Sequence, residues 1–172
     1  MADRKKALLE KLEVFYKEDD SIEEASLFTG EELGTQMDIL RLLIRDYGPG
    51  LMDVLAEFSF LPTEGDEVWF FNAVITILTD VPKEAVPALS GAISRLNFYL
   101  PYGAFCISAD GSMLAYKAST ALMASHDDEK IYENLEAAAE TALLVPEQYT
   151  YSLEQIVNGK LLMNDFIKML PQ

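Results

Sequence analysis

The chain has 172 residues, half of them hydrophobic and a tenth aromatic, so it is long enough for one packed domain and too apolar for disorder. Lys and Arg number 13 against 29 Asp and Glu, and a formal charge of −16 repels nucleic-acid backbones and anionic lipid surfaces. Cys106 is the single cysteine, which excludes a disulfide framework within the chain.

Asp3–Tyr16 reads as a helix, with Leu8, Leu9, Leu12, Phe15 and Tyr16 recurring at helical spacing. Two S/T-x-x-E pairs, Ser21 with Glu24 and Thr29 with Glu32, predict short capped helices in a connector that reaches Gly34. Thr35–Tyr47 is predicted as a further helix: Thr35 caps it, Asp38 pairs with Arg41, and Met37, Leu40, Leu43, Ile44 and Tyr47 share a face. The alternation of Leu40, Leu42 and Ile44 leaves a strand as the other option. Gly48-Pro49-Gly50 stops the element either way.

Leu51–Leu61 alternates as a half-exposed strand, with Met52, Val54, Ala56, Phe58 and Phe60 on the apolar side. The short segment Pro62–Asp66 then returns the chain into Glu67–Leu78, predicting an antiparallel hairpin. Glu67–Leu78 is apolar on both faces: Trp69, Phe71, Ala73, Ile75 and Ile77 alternate with Val68, Phe70, Val74 and Leu78. Such a strand is covered on both sides by its own chain, or one side meets a partner. That alternative is the functional question.

Val81–Leu100 reads as a helix bracketed by prolines, regular from about Pro87 after a single turn, with Leu89, Ile93 and Leu96 on its buried stripe. Ala104–Ala118 reads as a second hairpin turning on Asp110-Gly111, a two-residue type I′ turn that sets Phe105 opposite Tyr116. Ser125 is predicted to cap a helix carrying Ile131, Leu135, Ala138, Ala139 and Ala142, broken at Pro146. A further helix follows over Glu147–Val157. The tail from Leu161 to Leu170 is too apolar to stand free in water and must dock on its own domain or on another chain. The whole is an α+β domain: an antiparallel sheet of two hairpins packed against helices, with residues 1–34 as a helical N-terminal extension, 35–145 as the core and 146–172 as a helical tail.

Chemistry is sparse in this pattern. Cys106 falls in a strand, where a thiol packs as a small apolar group, and His126 falls in a charged first turn with no second His or Cys beside it. Asp110, Asp127 and Asp128 occupy a turn and a helix start, where structural roles suffice. No phosphate-cradling loop, HExxH, CxxC or G-x-S-x-G motif occurs. The longest apolar run is far short of a membrane span, and the N-terminal residues lack a signal-peptide pattern, so a cytoplasmic location is expected. No cofactor or metal is expected.

The order helix, strands, helix, hairpin, helix, together with Asn97-Phe98-Tyr99-Leu100-Pro101-Tyr102-Gly103-Ala104-Phe105 leading into a strand, resembles the YbjN-like family. That family shares its fold with the class I type III secretion chaperones of the Tir-chaperone kind. The likeness runs roughly from Gly50 to Val145. It implies a small acidic protein, often a homodimer, that binds other proteins rather than catalysing a reaction. The expected function is a chaperone-like or regulatory binding module acting through apolar surface. A structural subunit of a larger assembly is the alternative, and an enzyme with an unannounced site a third. Phe98, Tyr99 and Tyr102, three aromatics in five residues beside a proline, are the candidate protein contacts.

Overall fold

Alternation decides the architecture. The computed structural model describes residues 2–63, 65 and 67–170. Its elements run α1 (Ala2–Lys17), β1 (Ile22–Phe28), α2 (Gly30–Leu33), β2 (Ile39–Tyr47), β3 (Met52–Phe60), β4 (Val68–Leu78), α3 (Val86–Leu96), β5 (Ala104–Ile107), β6 (Leu114–Met123), α4 (Asp128–Val157) and α5 (Met163–Met169). The strands form one six-stranded antiparallel sheet in the order β1-β2-β3-β4-β6-β5. The fold is α+β, as expected.

One set of alternate residues builds the core. Leu40, Leu42 and Ile44 of β2, Val54, Ala56 and Phe58 of β3, Trp69, Phe71, Ala73, Ile75 and Ile77 of β4 and Tyr116 of β6 are all buried. Helices α1, α3 and α4 pack against this side. Leu8, Leu9, Leu12 and Tyr16 of α1 reach the sheet, where the Tyr16 ring stacks on Phe58 at 6.0 Å and Phe58 on Phe71 at 5.6 Å. α4 lies across β3, β4 and β6 through Ile131, Leu135, Ala139 and Ala142.

Thr35–Tyr47 is a strand over Ile39–Tyr47, not a helix, because neighbours on both sides take its backbone hydrogen bonds. Arg41 pairs with Glu57 across the sheet rather than with Asp38, whose carboxylate accepts from the Gly30 amide at 2.8 Å. Residues 1–34 are not purely helical. The capping box at Thr29 and Glu32 forms and starts α2, whereas Ser21 bonds Asp19 and is followed by edge strand β1. Gly48-Pro49-Gly50 serves as the β2–β3 turn. Gly48 has φ +68°, and a Cβ there would lie 2.7 Å from the Glu147 carbonyl oxygen. In the β3–β4 connection, Glu64 and Asp66 lie outside the described residues.

The second hairpin keeps its expected register, Phe105 with Tyr116 and Ile107 with Leu114, but not its turn. Asp110 is not in the left-handed region that a type I′ turn requires; only Gly111 is, at φ +80°. The loop is longer, closed by the Ser108 amide on the Met113 carbonyl and organised by the Asp110 carboxylate. Asp127, not Ser125, caps α4, accepting from the Lys130 amide at 2.8 Å.

Pro146 does not break that helix. It has no N–H for the Ala142 carbonyl, and the neighbouring Leu143 carbonyl accepts the Tyr47 hydroxyl from β2. The tail docks on its own domain: Phe166 and Leu170 are buried and α5 packs on α3. No described helix is long and apolar enough to cross a membrane.

Candidate functional site: the uncovered face of the sheet

Among the described residues, no helix packs on the second face of the sheet. Its positions are the other alternate set, brought into cross-strand rows by the register. One row reads Ser26, Arg41, Glu57, Val74, Lys117, Ala104 from β1 to β5. Its neighbours read Phe28, Ile39, Ser59, Asn72, Ser119 and Glu24, Leu43, Leu55, Thr76, Ala115, Cys106. Beyond these, Phe70 faces Ala121 and Val68 faces Met123. Phe70 is 40% exposed and Met123 46%, Ile39, Leu43, Leu55 and Val74 are half-buried, and the small Ser59 and Ala115 between larger neighbours are buried.

The face is close to neutral. Its outward charges are Arg41, Arg45 and Lys117 against Glu24, Asp53 and Glu57, with Glu23 at the β1 bulge pairing Arg45. The remaining surface therefore carries nearly all of the −16. One carboxylate oxygen of Glu57 accepts from both Arg41 Nε at 3.1 Å and Arg41 Nη2 at 2.7 Å, and Arg41 also lies over the Phe28 ring at 5.1 Å. Lys117 is exposed and, among the described residues, has no ion pair. Outward residues of β4 include no charge at all.

The three predicted contact residues do not form one cluster. Phe98 is 84% exposed and meets the half-exposed Tyr99 edge to face at 5.3 Å at the end of α3. Tyr102 instead turns back onto β6, where its hydroxyl and that of Thr120 lie 2.5 Å apart. Its carbonyl accepts the buried Tyr116 hydroxyl. Gly103, at φ +66°, has no Cβ to block this approach; one there would strike the Tyr116 hydroxyl. Tyr102 borders a shallow groove of about 490 Å³ between β6 and α4, with Met123, His126, Asn134 and Thr141.

Several ionisable groups elsewhere have structural partners. Ser108 and Ser112 donate to Asp110 and hold its carboxyl down at about 2. Asp128 pairs with Arg4, which also binds the Ala124 and His126 carbonyls. A cleft of about 380 Å³ between α1, β2 and α4 carries Asp19, Asp46, Glu140 and Glu147 beside Tyr16 and Tyr47. Burial, reinforced by these acids, pushes both phenols up. Cys106 sits half-buried on the outward face opposite Ala115. Among the described residues no three His, Cys, Asp or Glu side chains converge on a metal-sized site.

Comparison with protein-family models, curated proteins and solved structures returned no match. The residues of the open face that aromatic clustering misses are Phe70, Val74, Lys117, Glu57 and Arg41. Their signal is the doubly apolar β4 together with the polar alternation of β3. Reading Thr35–Tyr47 as a helix hides the place of Arg41 opposite Glu57.

Proposed function

We propose that this chain is a non-enzymatic protein-binding module, chaperone-like or regulatory, whose working surface is the uncovered face of the sheet. The observation that carries the reading is that β4 is apolar on both sides while helices cover only one. The apolar residues in the middle of this face, Phe70, Val74, Leu55 and Leu43 with Val68 and Met123 at one end, mark a contact surface. The uncharged outward side of β4 at the middle of the face supports the same reading, because interface centres are depleted of charge. The YbjN-like resemblance points the same way.

The test uses a dye that fluoresces on apolar surface. Diluted until it is monomeric, the wild-type chain should enhance it, and Phe70→Lys with Val74→Lys should abolish the enhancement while leaving the circular dichroism unchanged. An enhancement that survives both lysines on a folded chain sinks the reading. A second reading, a structural subunit docking through its last helix, draws on the exposed Leu162 and Met169 beside the buried Phe166. Replacing Leu162 and Met169 by Ser would then remove association without unfolding the domain.

A further inference from the structure

We propose that the uncovered face closes on a second copy of the same chain, sheet against sheet, about a two-fold axis running along β4. The inference rests on the reading that this face is a contact surface, and adds its occupant and geometry.

Area is the first argument. Six strands at about 4.8 Å spacing make a face about 25 Å across, and its central strands of 9 to 11 residues run to about 30 Å at about 3.3 Å per residue. With its corners trimmed by the short outer strands, the face offers roughly 700 Å² in plan. A stable interface takes about 800 Å² from each partner. One copy of this sheet is the right size to cover another, at the spacing of about 10 Å usual for stacked sheets.

Charge is the second argument, and it selects the axis. A two-fold parallel to the strands keeps every cross-strand row facing itself and only reverses the strand order. With the axis on β4, its neighbours β3 and β6 exchange places, so in the central row Glu57 of each copy lies opposite Lys117 of the other. Both groups are prepared for this. Lys117 has no ion pair among the described residues, and Arg41 occupies only one oxygen of Glu57, leaving the other to accept. Shifting the axis between β3 and β4 would set Lys117 against Arg41, and shifting it onto β3 would set Glu57 against itself.

Shape agrees with that axis. Uncharged β4 meets its own copy, Val74 on Val74 and Phe70 on Phe70. Leu55 of β3 falls over Ala115 of β6, and Arg41 of β2 over Ala104 of β5, a large residue over a small one each time. Only β1, with Glu24, overhangs the contact. Of the described acids the face carries Glu23, Glu24, Asp53 and Glu57, and at about 0.15 M salt a screening length of about 8 Å mutes the repulsion between the other acids of the two copies.

Sedimentation equilibrium on the full chain tests this. The wild type should have twice the 19.2 kDa mass of one chain. Lys117→Glu and Glu57→Lys should each raise the dimer dissociation constant about tenfold or more, and the double charge reversal should recover most of that loss. Circular dichroism and melting of each variant confirm that the chain stays folded. A monomeric wild type overturns the dimer; if it still binds the dye through Phe70 and Val74, the binding-surface reading stands, and if it binds none, both fall. A dimer indifferent to both charge reversals and to Phe70→Lys overturns the proposed geometry.

Discussion

Adjacent phenylalanines on β4 give the sharpest test of a one-sided sheet. Phe71 is 1% exposed and packed against Phe58 and Phe60, with ring centroids at 5.6 and 5.8 Å. Truncating such a residue to Ala leaves a cavity and costs about 3–5 kcal/mol. Phe70 points the other way and keeps 40% of its surface exposed. Burying a phenylalanine fully contributes about 1.5–3 kcal/mol, so the remaining three-fifths corresponds to about 1–2 kcal/mol for Phe70→Ala. For a chain of this size about 1 kcal/mol moves the melting temperature by about 2–4 °C. Phe71→Ala should therefore melt roughly 6–20 °C lower than its parent, and Phe70→Ala roughly 2–8 °C lower. Both are read by urea unfolding and by melting in a Lys117→Glu background, so that self-association adds to neither. Equal losses at the two positions would refute the reasoning, since they would mean that the chain covers both faces of β4 itself.

Other outcomes follow from the same geometry. Tyr47→Phe removes the donor to the Leu143 carbonyl beside Pro146 and should cost about 1–2 kcal/mol in urea unfolding, more than the same change at exposed Tyr151. Phe166→Ala should cost about 3–5 kcal/mol by the same measure; a folded chain of unchanged stability would mean that α5 serves a partner rather than its own core. Burial raises the phenols of Tyr16, Tyr47 and Tyr116 above their ordinary 10.0 and that of Tyr132 to about 12. These groups favour the neutral form in the folded state, so their contribution is complete below pH 10 and lost as pH rises through the folded values. Unfolding free energy should fall steadily above pH 10, and the share of the tyrosinate absorbance that belongs to these four rings should rise together with unfolding rather than before it. The Asp110 carboxyl carbon should titrate in NMR near pH 2, and should move upward, short of the ordinary value, once Ser108 and Ser112 are both alanine, because the Ser112 amide still donates to it.

Elements whose pattern admits one period were legible in the sequence. β3 and β4 alternate without a competing helical repeat, and the pairing of Phe105 with Tyr116 follows from apolar pattern alone, even though the Asp110 turn does not. Ile39–Tyr47 contains both periods. Leu40, Leu43 and Ile44 fit a helix while Leu40, Leu42 and Ile44 fit a strand, and the decision belongs to β1 and β3, which lie elsewhere in the chain. Edge strand β1, with its pair of glutamates, carries almost no pattern of its own. The bond beside Pro146, from the Tyr47 hydroxyl to the Leu143 carbonyl, spans 96 residues, beyond any local rule. For the site, two apolar faces on β4 were visible from the residues, but which one the helices occupy is a property of topology. Phe98 and Tyr99 are neighbours in sequence; the residues of the open face are neighbours only across strands.

Strand order also constrains how the chain is made. β1 to β4 pair in the order of synthesis, each closing a local hairpin as it emerges, but the free side of β4 waits for β6, and β5 has nowhere to lie until β6 is in place. Translation from Leu78 to Met123 takes roughly 2–9 s at about 5–20 residues per second. Throughout that interval a nascent four-stranded intermediate presents an unpaired, uncharged β-edge to the ribosome's surroundings, with no α4 to shield its greasy underside. Misassembly of this protein should therefore be decided during translation, and slowing codons between β4 and β6 should lower soluble yield without changing the stability of the finished molecule.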